Sequence, residues 1–436
     1  MLSLAIDDTD SQYGGCTTHL TGLVLAELRG KAKLADYPLL VRLNPNIPWR
    51  TRGNAATVLR LEYDGDPKDL LELAWQMASE YVSPRPPLPG KSPGVVVVEG
   101  EPWRSEELRW LYRQALSDVV TIDVARRALD AAGALYVGGR GLIGAASALA
   151  ALAPGDPYTF ELTFYRRPEN WGVDRCVDFS RALAIDGSTS ASINNVDLEN
   201  GVVSAAPGGP DPVLAGFRGL DPGELWSFEE ALCERPHFAV LYRSNQHTGV
   251  HAQEAYPLPY RSVRIRGRVA SPPRKLPGGH VVVRLDTGAG EVDVAFYRET
   301  GPLARAAELL RGGDEVEVVG GVRPYRSPDG RLVVAAESLT VLSLADSTVS
   351  AAPRCPRCGA RMESVGSGKG YRCPRCGLRL PPDSRLVLTR PRRLVPSTYA
   401  VGYGRLRHLS PVPGVRPPVL ERLPAGLEVA DVLRTY

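Results

Sequence analysis

The sequence predicts a multidomain fold of α/β and α+β regions, followed by a small β-domain and a zinc ribbon. Three observations carry that reading. A chain of 436 residues corresponds to about three domains. The residue pattern changes near positions 155, 258 and 346, which divides the chain into 1–155, 156–258, 259–346 and 347–436. The last region holds two Cys-x-x-Cys pairs at metal-binding spacing.

Composition bounds the function classes. Hydrophobic content of 43% and charged content of 23% are those of an ordinary globular protein. No stretch approaches the roughly 18 uninterrupted apolar residues of a membrane span. The chain opens on a strand and an acidic turn, not on the tract of a signal peptide, so a cytoplasmic protein without a membrane partner is expected.

Residues 2–6 are an apolar run that reads as a buried strand, followed by Asp7, Asp8 and Asp10. Gly14, Gly15, Cys16, Thr17 and Thr18 then lead into Leu20, Leu23, Val24 and Leu28, the spacing of one helix face. Hard carboxylate oxygens suit Mg²⁺, and free N–H groups at a helix start suit phosphate. The competing structural reading is a solvated turn with Thr17 as helix N-cap. Cys16 could be a nucleophile at a helix N-terminus, with small-residue packing as the plainer role. Residues 42–54 are dense in polar groups; Arg50 and Arg52 could hold phosphates, and Asn44 or Asn54 a base. Residues 85–89 form a proline-rich loop, and 95–98 a strand buried on both faces.

Gly139, Gly141 and Gly144 match G-x-G-x-x-G after a short strand at 135–137. A dinucleotide fold lacks support, because Pro154 ends the following helix and no strand closes on an acid at the right distance. A phosphate loop using Arg140 and Gly141 fits better. In 156–258 strands mix with helices, residues 158–165 alternate, and 225–232 read as helical. Asp211 stands on a turn between Pro210 and Pro212, and 243–248 with His251 form a cluster of donors and acceptors. Residues 263–266, 280–285, 291–296, 314–319 and 332–342 supply five strands, with a helix at 303–310 before the fourth. That layout is an OB-fold barrel, with a plain antiparallel barrel as the alternative.

Cys355, Cys358, Cys373 and Cys376 with Gly359 and Gly377 read as a structural zinc site with no open position. A disulfide pair is the less favoured reading in a cytosolic chain. Arg354, Arg357, Arg372 and Arg375 surround the knuckles. Between Arg354 and Arg416 fourteen Arg or Lys face two acids, a charge of +12, so the rest of the chain sums to −9 of the net +3. A basic module on an acidic chain predicts a nucleic-acid partner.

Taken in order, Ile6 to Asp10 with Gly15 to Thr18, Arg42 to Pro45 with Ile47, Pro48 and Thr51 to Asn54, Gly139 to Gly144, Gly209 to Val213, Gly216-x-Arg218-Gly219 and Ser244 to Gln246 resemble the archaeal tRNA-isoleucine 2-agmatinylcytidine synthetase family nearly end to end. The resemblance implies a kinase-like domain at 1–155, a ferredoxin-like domain at 156–258 with the agmatine site, an OB-fold at 259–346 and a zinc ribbon with a basic tail at 347–436. It implies ATP-dependent replacement of the 2-oxo group of the wobble cytidine in the CAU-anticodon isoleucine tRNA by agmatine, with that oxygen first phosphorylated. Decoding would change from AUG to AUA. Asp7, Asp8 and Asp10 would be catalytic, with Asp7 and Asp8 on Mg²⁺, and Thr17 would be self-phosphorylated. Gly15, Cys16, Thr18, Arg52, Arg140 and Gly141 would hold ATP or phosphate. Asp211, Ser244 and Asn245 would bind agmatine, a carboxylate taking the guanidinium in a bidentate pair. Arg357, Arg372, Arg375 and Arg407 would bind tRNA. The cofactors implied are ATP, Mg²⁺ and Zn²⁺. The rival readings are a non-enzymatic nucleic-acid-binding protein and a nicotinamide-dependent oxidoreductase.

Overall fold

The computed structural model describes all residues except 11–13, 51–52, 84–91, 210, 347, 390, 403 and 425. Arg52 and the proline-rich loop of 85–89 therefore lie outside the described residues.

The first strand, β1 (Leu2–Asp7), runs mid-sheet, antiparallel to β3 (Ala55–Glu62) on one side and to β4 (Gly94–Glu99) on the other. Both of its faces are covered. Leu2, Leu4 and Ile6 pack with α1 (Thr17–Glu27) and α2 (Pro67–Val82). Ala5 faces α3 (Glu106–Ser117) and α5 (Leu142–Ala148), the latter preceded by α4 (Ile122–Ala131). Two-sided burial is why residues 2–6 and 95–98 read as continuous apolar runs rather than alternating ones.

The sheet continues past the boundary expected near 155. With β2 (Leu39–Arg42), β5 (Leu135–Gly138), β6 (Thr159–Tyr165), β7 (Val213–Gly219) and β8 (Phe238–Ser244), the order is β7-β6-β8-β2-β3-β1-β4-β5. Every neighbouring pair is antiparallel except β8 with β2, the parallel seam between the first two regions. A buried ion cluster ties that seam, since Arg60 and Arg243 both donate to Asp36 Oδ2. Arg60 also donates to the carbonyls of Ala151 and Leu152 and lies 4.2 Å over Trp103. Residues 225–232, expected as one helix, are a short helix Pro222–Leu225 running into the 3₁₀ turn Trp226–Ala231. Nearby, α6 (Phe179–Ser188) is capped by Asp178, which accepts from Arg181 N. Cys176 and Cys233, whose positions in the sequence suggest no role, form a disulfide across this region.

The third region contains β9 (Ser262–Val269), β10 (Val281–Asp286), β11 (Glu291–Phe296), β12 (Glu315–Arg326) and β13 (Leu332–Ser343). Pairing runs β9-β12-β13-β11-β10 and returns from β10 to β9, with α7 (Pro302–Glu308) before the fourth strand. Its core, from Val263 to Leu394, is separate from those of the large sheet.

The fourth region departs from the expected ribbon with an appended tail. β14 (Thr348–Ala351) pairs with β15 (Leu386–Thr389), so the cysteine ribbon projects from the end of a two-stranded stalk. The chain then turns back. β16 (Thr398–Ala400) joins β13, and residues 407–410 lie against 246–249. Finally α8 (Val429–Val432) and β17 (Leu433–Thr435) enter the first core, with β17 antiparallel to β8. The apolar content of 427–433 drives this return, because Val429, Val432 and Leu433 are at most 2% exposed. Among the described residues no helix is long and apolar enough to cross a membrane.

Candidate active site

The acidic turn after β1 divides two cavities. Asp8 adopts φ +60, and its Oδ2 accepts from Ser92 N at 3.0 Å. Asp7 Oδ1 accepts from Asp8 N at 2.7 Å. Burial, then the charges of Asp8 and Asp10, push the Asp7 carboxyl well above the usual range. Asp7, Asp8, Arg140, Gly141 and Gly144 line the smaller cavity, of about 80 Å³. Gly144 is required here, since a β-carbon on α5 at that position would collide with Asp7 Oδ2. The G-x-G-x-x-G run thus packs its helix against a carboxylate, an arrangement no dinucleotide fold needs.

Asp10 belongs to the other side. With Cys16, Thr17 and Thr18 it borders a cavity of about 300 Å³, floored by Arg42, Glu161, Thr163, Gly216 and Arg218 and closed by Asp211 and His408. Asn54 lines both cavities. The three carboxylates expected together are therefore split. Among the described residues the one group of three or more Cys, His, Asp or Glu whose ligand atoms lie within 4.8 Å of one another is the cysteine quartet.

Thr17 is the first residue of α1, not its cap, and Cys16 holds the N-cap position. Thr17 Oγ1 accepts from Thr9 Oγ1 at 3.1 Å. Cys16 Sγ sits 3.1 Å from Thr18 Oγ1, and its backbone N donates to Tyr81 Oη. Gly15 lines neither cavity.

Across the larger cavity, Asp211 pairs with Arg175 (Oδ1 at 3.3 Å), and Arg175 also donates to the carbonyls of Asp211 and Val213. The neighbouring Cys176 is tied to Cys233 by the disulfide, which anchors the segment that carries Arg175. Ser244 and Asn245 do not line the cavity. Ser244 Oγ donates to Leu40 O at 2.7 Å. Asn245 accepts from Arg42 N at 2.8 Å and donates to Arg42 O at 2.9 Å and to Tyr112 Oη at 3.1 Å. Both lock the β8–β2 seam and so orient Arg42.

Glu161, Arg218 and His408 were missed as site residues. Glu161 and Thr163 are inward polar positions on the alternating β6, a signal that was legible. His408 carried none.

In the ribbon, Cys355 and Cys376 Sγ atoms lie 3.5 Å apart, and those of Cys358 and Cys373 3.4 Å. These separations exclude disulfides and approach the roughly 3.8 Å edge of a tetrahedron with 2.3 Å zinc–sulfur bonds. Arg357, Arg372 and Arg375 are exposed around it. Arg407 is part-exposed, donating to Asn46 Oδ1 at 2.7 Å and Glu337 Oε1 at 3.0 Å. It lines a cleft of about 470 Å³ with Arg50, Arg323, Tyr260 and Tyr325, between residues 45–50 and β12. Burial and the Arg407 charge lower the pKa of Arg50.

Four family models match in chain order: the TiaS TCKD domain over 3–70, the TiaS FLD domain over 139–251, an OB-fold nucleic acid binding domain over 263–342 and the TiaS C-terminal zinc ribbon domain over 352–394. A protein of Acidilobus saccharovorans named tRNA(isoleucine-2) 2-agmatinylcytidine synthetase TiaS is 66% identical, over 100% of this chain and 99% of its own. A complex of TiaS with tRNA(isoleucine-2) and ATP superposes with a TM-score of 0.81 at 32% identity, covering 95% of this chain and 99% of that one. A complex of TiaS with the same tRNA, AMPCPP and agmatine does so at 0.79 and 31%, covering 97% and 99%.

Proposed function

The chain belongs to the tRNA-isoleucine 2-agmatinylcytidine synthetase family, and on that premise we propose how its two cavities divide the reaction. It conjugates agmatine, with ATP, to the wobble cytidine of the isoleucine tRNA bearing a CAU anticodon. The single observation that carries the division of labour is Asn54, which borders both cavities. Phosphoryl chemistry on one side and amine chemistry on the other can then meet at one base.

The smaller cavity is the ATP side. Asp7 and Asp8 offer adjacent hard oxygens, the Asp7 carboxyl raised by burial first and by the Asp8 charge second, and such a donor set suits a Mg²⁺ ion. Such an ion supplies charge neutralisation for phosphoryl transfer. Arg140 and the Gly141 backbone carry the phosphates, and Asp10 with Thr17 and Thr18 faces the base from the other side. Phosphorylation turns the 2-oxo group into a leaving group, and Thr17 is the residue read as self-phosphorylated. Regions 1–155 and 156–258 correspond to the kinase-like and ferredoxin-like units, and 259–346 to a closed OB barrel.

Asp211 is the candidate for the agmatine guanidinium, with Glu161 a second carboxylate in the same cavity. Ser244 and Asn245 serve the site through Arg42 rather than by touching agmatine. For tRNA, the cleft of Arg50, Arg323 and Arg407 with two tyrosines has the chemistry of a single-stranded segment, cations for phosphates and rings for bases. The exposed ribbon arginines Arg357, Arg372 and Arg375 offer further cations for phosphates, and the cytoplasm is the compartment where such a tRNA is met. Nucleoside mass spectrometry after incubating CAU-anticodon tRNA with enzyme, ATP and agmatine tests the reading. A cytidine adduct heavier by agmatine minus water is expected, and its absence with folded enzyme overturns the assignment.

A further inference from the structure

The C-terminal segment beyond the ribbon places one titratable group in the larger cavity for which the family reading supplies no role. His408 is carried there by residues 407–410, whose backbone is clamped to the second region by His247 N donating to His408 O at 2.7 Å. Its Nδ1 lies 2.8 Å from Gln246 Oε1. Gln246 is fully buried and donates its Nε2 to Glu161 Oε2. That carboxylate can only accept, which fixes the orientation of the Gln246 amide. Oε1 then faces the imidazole, so Nδ1 is the protonated nitrogen and Nε2 carries the lone pair.

Among the described residues Nε2 has no hydrogen-bond partner. It lies beside Gly53, where a β-carbon would come within 2.8 Å of Nε2 and closer still to Arg42 Nη1, so a glycine leaves room for the imidazole and the guanidinium together at the cavity wall. Charged and titratable groups surround the ring: Arg42 on β2, Arg218 on β7, Glu161 on β6, His247 after β8 and Arg50 in the loop. Burial first, then the Arg42 and Arg218 charges, hold the imidazole pKa well below 6.5, so the ring is neutral at working pH.

We propose that His408 Nε2 is the proton acceptor for the agmatine amine as it attacks C2 of the activated cytidine. This rests on the reading of the larger cavity as the agmatine site. The free ammonium of agmatine is too weak an acid to protonate so weak a base, so the amine enters the step already neutral. Once the nitrogen has begun to bond to carbon it becomes cationic, and its N–H turns acidic. In the step, the N–C2 bond forms and the C2–O bond to the phosphorylated oxygen breaks. The amine proton passes to Nε2, then from the imidazolium to the departing phosphate. The two arginines keep the base unprotonated beforehand and favour its rapid unloading afterwards. The Glu161–Gln246 pair holds the tautomer, so both are positioning residues.

His408→Asn tests this, because its amide nitrogen can replace Nδ1–H towards Gln246 while the Nε2 lone pair is deleted. In full-length enzyme with tRNA and ATP, kcat for adduct formation should fall about 100-fold or more. The agmatine KM should stay within about threefold, with an unchanged melting temperature. His408→Ala should be partly rescued by added imidazole, in proportion to its unprotonated fraction across the pH range. A raised agmatine KM with kcat retained, or no rescue by imidazole, would overturn the proposal and leave His408 as a buttress for Glu161. If the wild-type enzyme forms no adduct, the assignment of the reaction fails instead, so the two failures are distinct.

Discussion

Removing the zinc ribbon and removing the last ten residues should have opposite consequences, although both cuts fall in the region expected to be a separate module. The register Ala351↔Leu386 places the two strands of the stalk side by side. Residues 352–385 can therefore be replaced by an Asn-Gly hairpin turn without moving either end. The ribbon has its own small core around Cys355, Met362 and Cys373, sharing no side chain with the other cores. Its excision should shift the melting temperature of the remainder by no more than a few degrees. Truncation after Gly426 deletes Val429, Val432 and Leu433, all at most 2% exposed, together with the β17–β8 pairing. At about 1.5–3 kcal/mol per buried side chain, the loss is about 5–9 kcal/mol, against a usual domain stability of about 5–15. That corresponds to a fall of about 10–30 °C in melting temperature. Calorimetry reads the stability, and transfer of label from γ-labelled ATP reads the N-terminal chemistry. The ribbon-less protein should keep self-labelling and lose tRNA affinity and much of its salt dependence. The truncated one should lose label through unfolding. A truncated protein melting with the wild type, or a ribbon-less one melting as low as the truncation, would refute the reasoning.

Gly144→Ala should cut ATP-dependent adduct formation about tenfold or more, with only about 1–3 kcal/mol lost in a denaturant titration, because the new methyl displaces Asp7. Thr17→Ala should abolish self-labelling, and peptide mapping that finds the label on Thr18 instead would show the residue assignment to be wrong. Asp211→Ala should raise the agmatine requirement far more than the ATP requirement; equal effects on both would make Asp211 a purely structural partner of Arg175. Glu337 supplies a pH test. Burial alone would raise its carboxyl, but hydrogen bonds from His251 and Ser410 and the Arg407 charge hold it at about 2, against 4.5 unperturbed. A depressed carboxylate contributes stability that is fully present above pH 4.5 and lost as pH falls through 2, here about 3 kcal/mol. Glu337→Gln should therefore lower the urea midpoint at pH 7 and flatten the acid limb between pH 4.5 and 2, and identical limbs would count against the pairing.

What could be read from residues alone was local. The apolar runs 2–6 and 95–98, the five strands with one helix of 259–346 and the cysteine quartet are each set by periodicity or spacing within a few dozen positions. Their physical cause, two-sided burial, pairing of successive strands or four thiolates at one site, operates over the same range. Within the basic stretch the ribbon arginines Arg357, Arg372 and Arg375 are exposed, whereas Arg392 and Arg407 also pair with Asp314 and Glu337, which a charge count along the sequence does not distinguish. The tertiary structure alone decided the rest. The turn at Asp8 sends Asp7 and Asp10 into different cavities, although they are three positions apart. The parallel β8–β2 seam engages Ser244 with Leu40 and Asn245 with Arg42, away from the cavity lining. Buried apolar residues at 429–433 pull the tail back into the first core, and the same return brings His408 to Gln246, 162 positions away in sequence. A pattern within a window carries no record of such a meeting, because it is burial of the whole chain, not the spacing of neighbours, that pays for it.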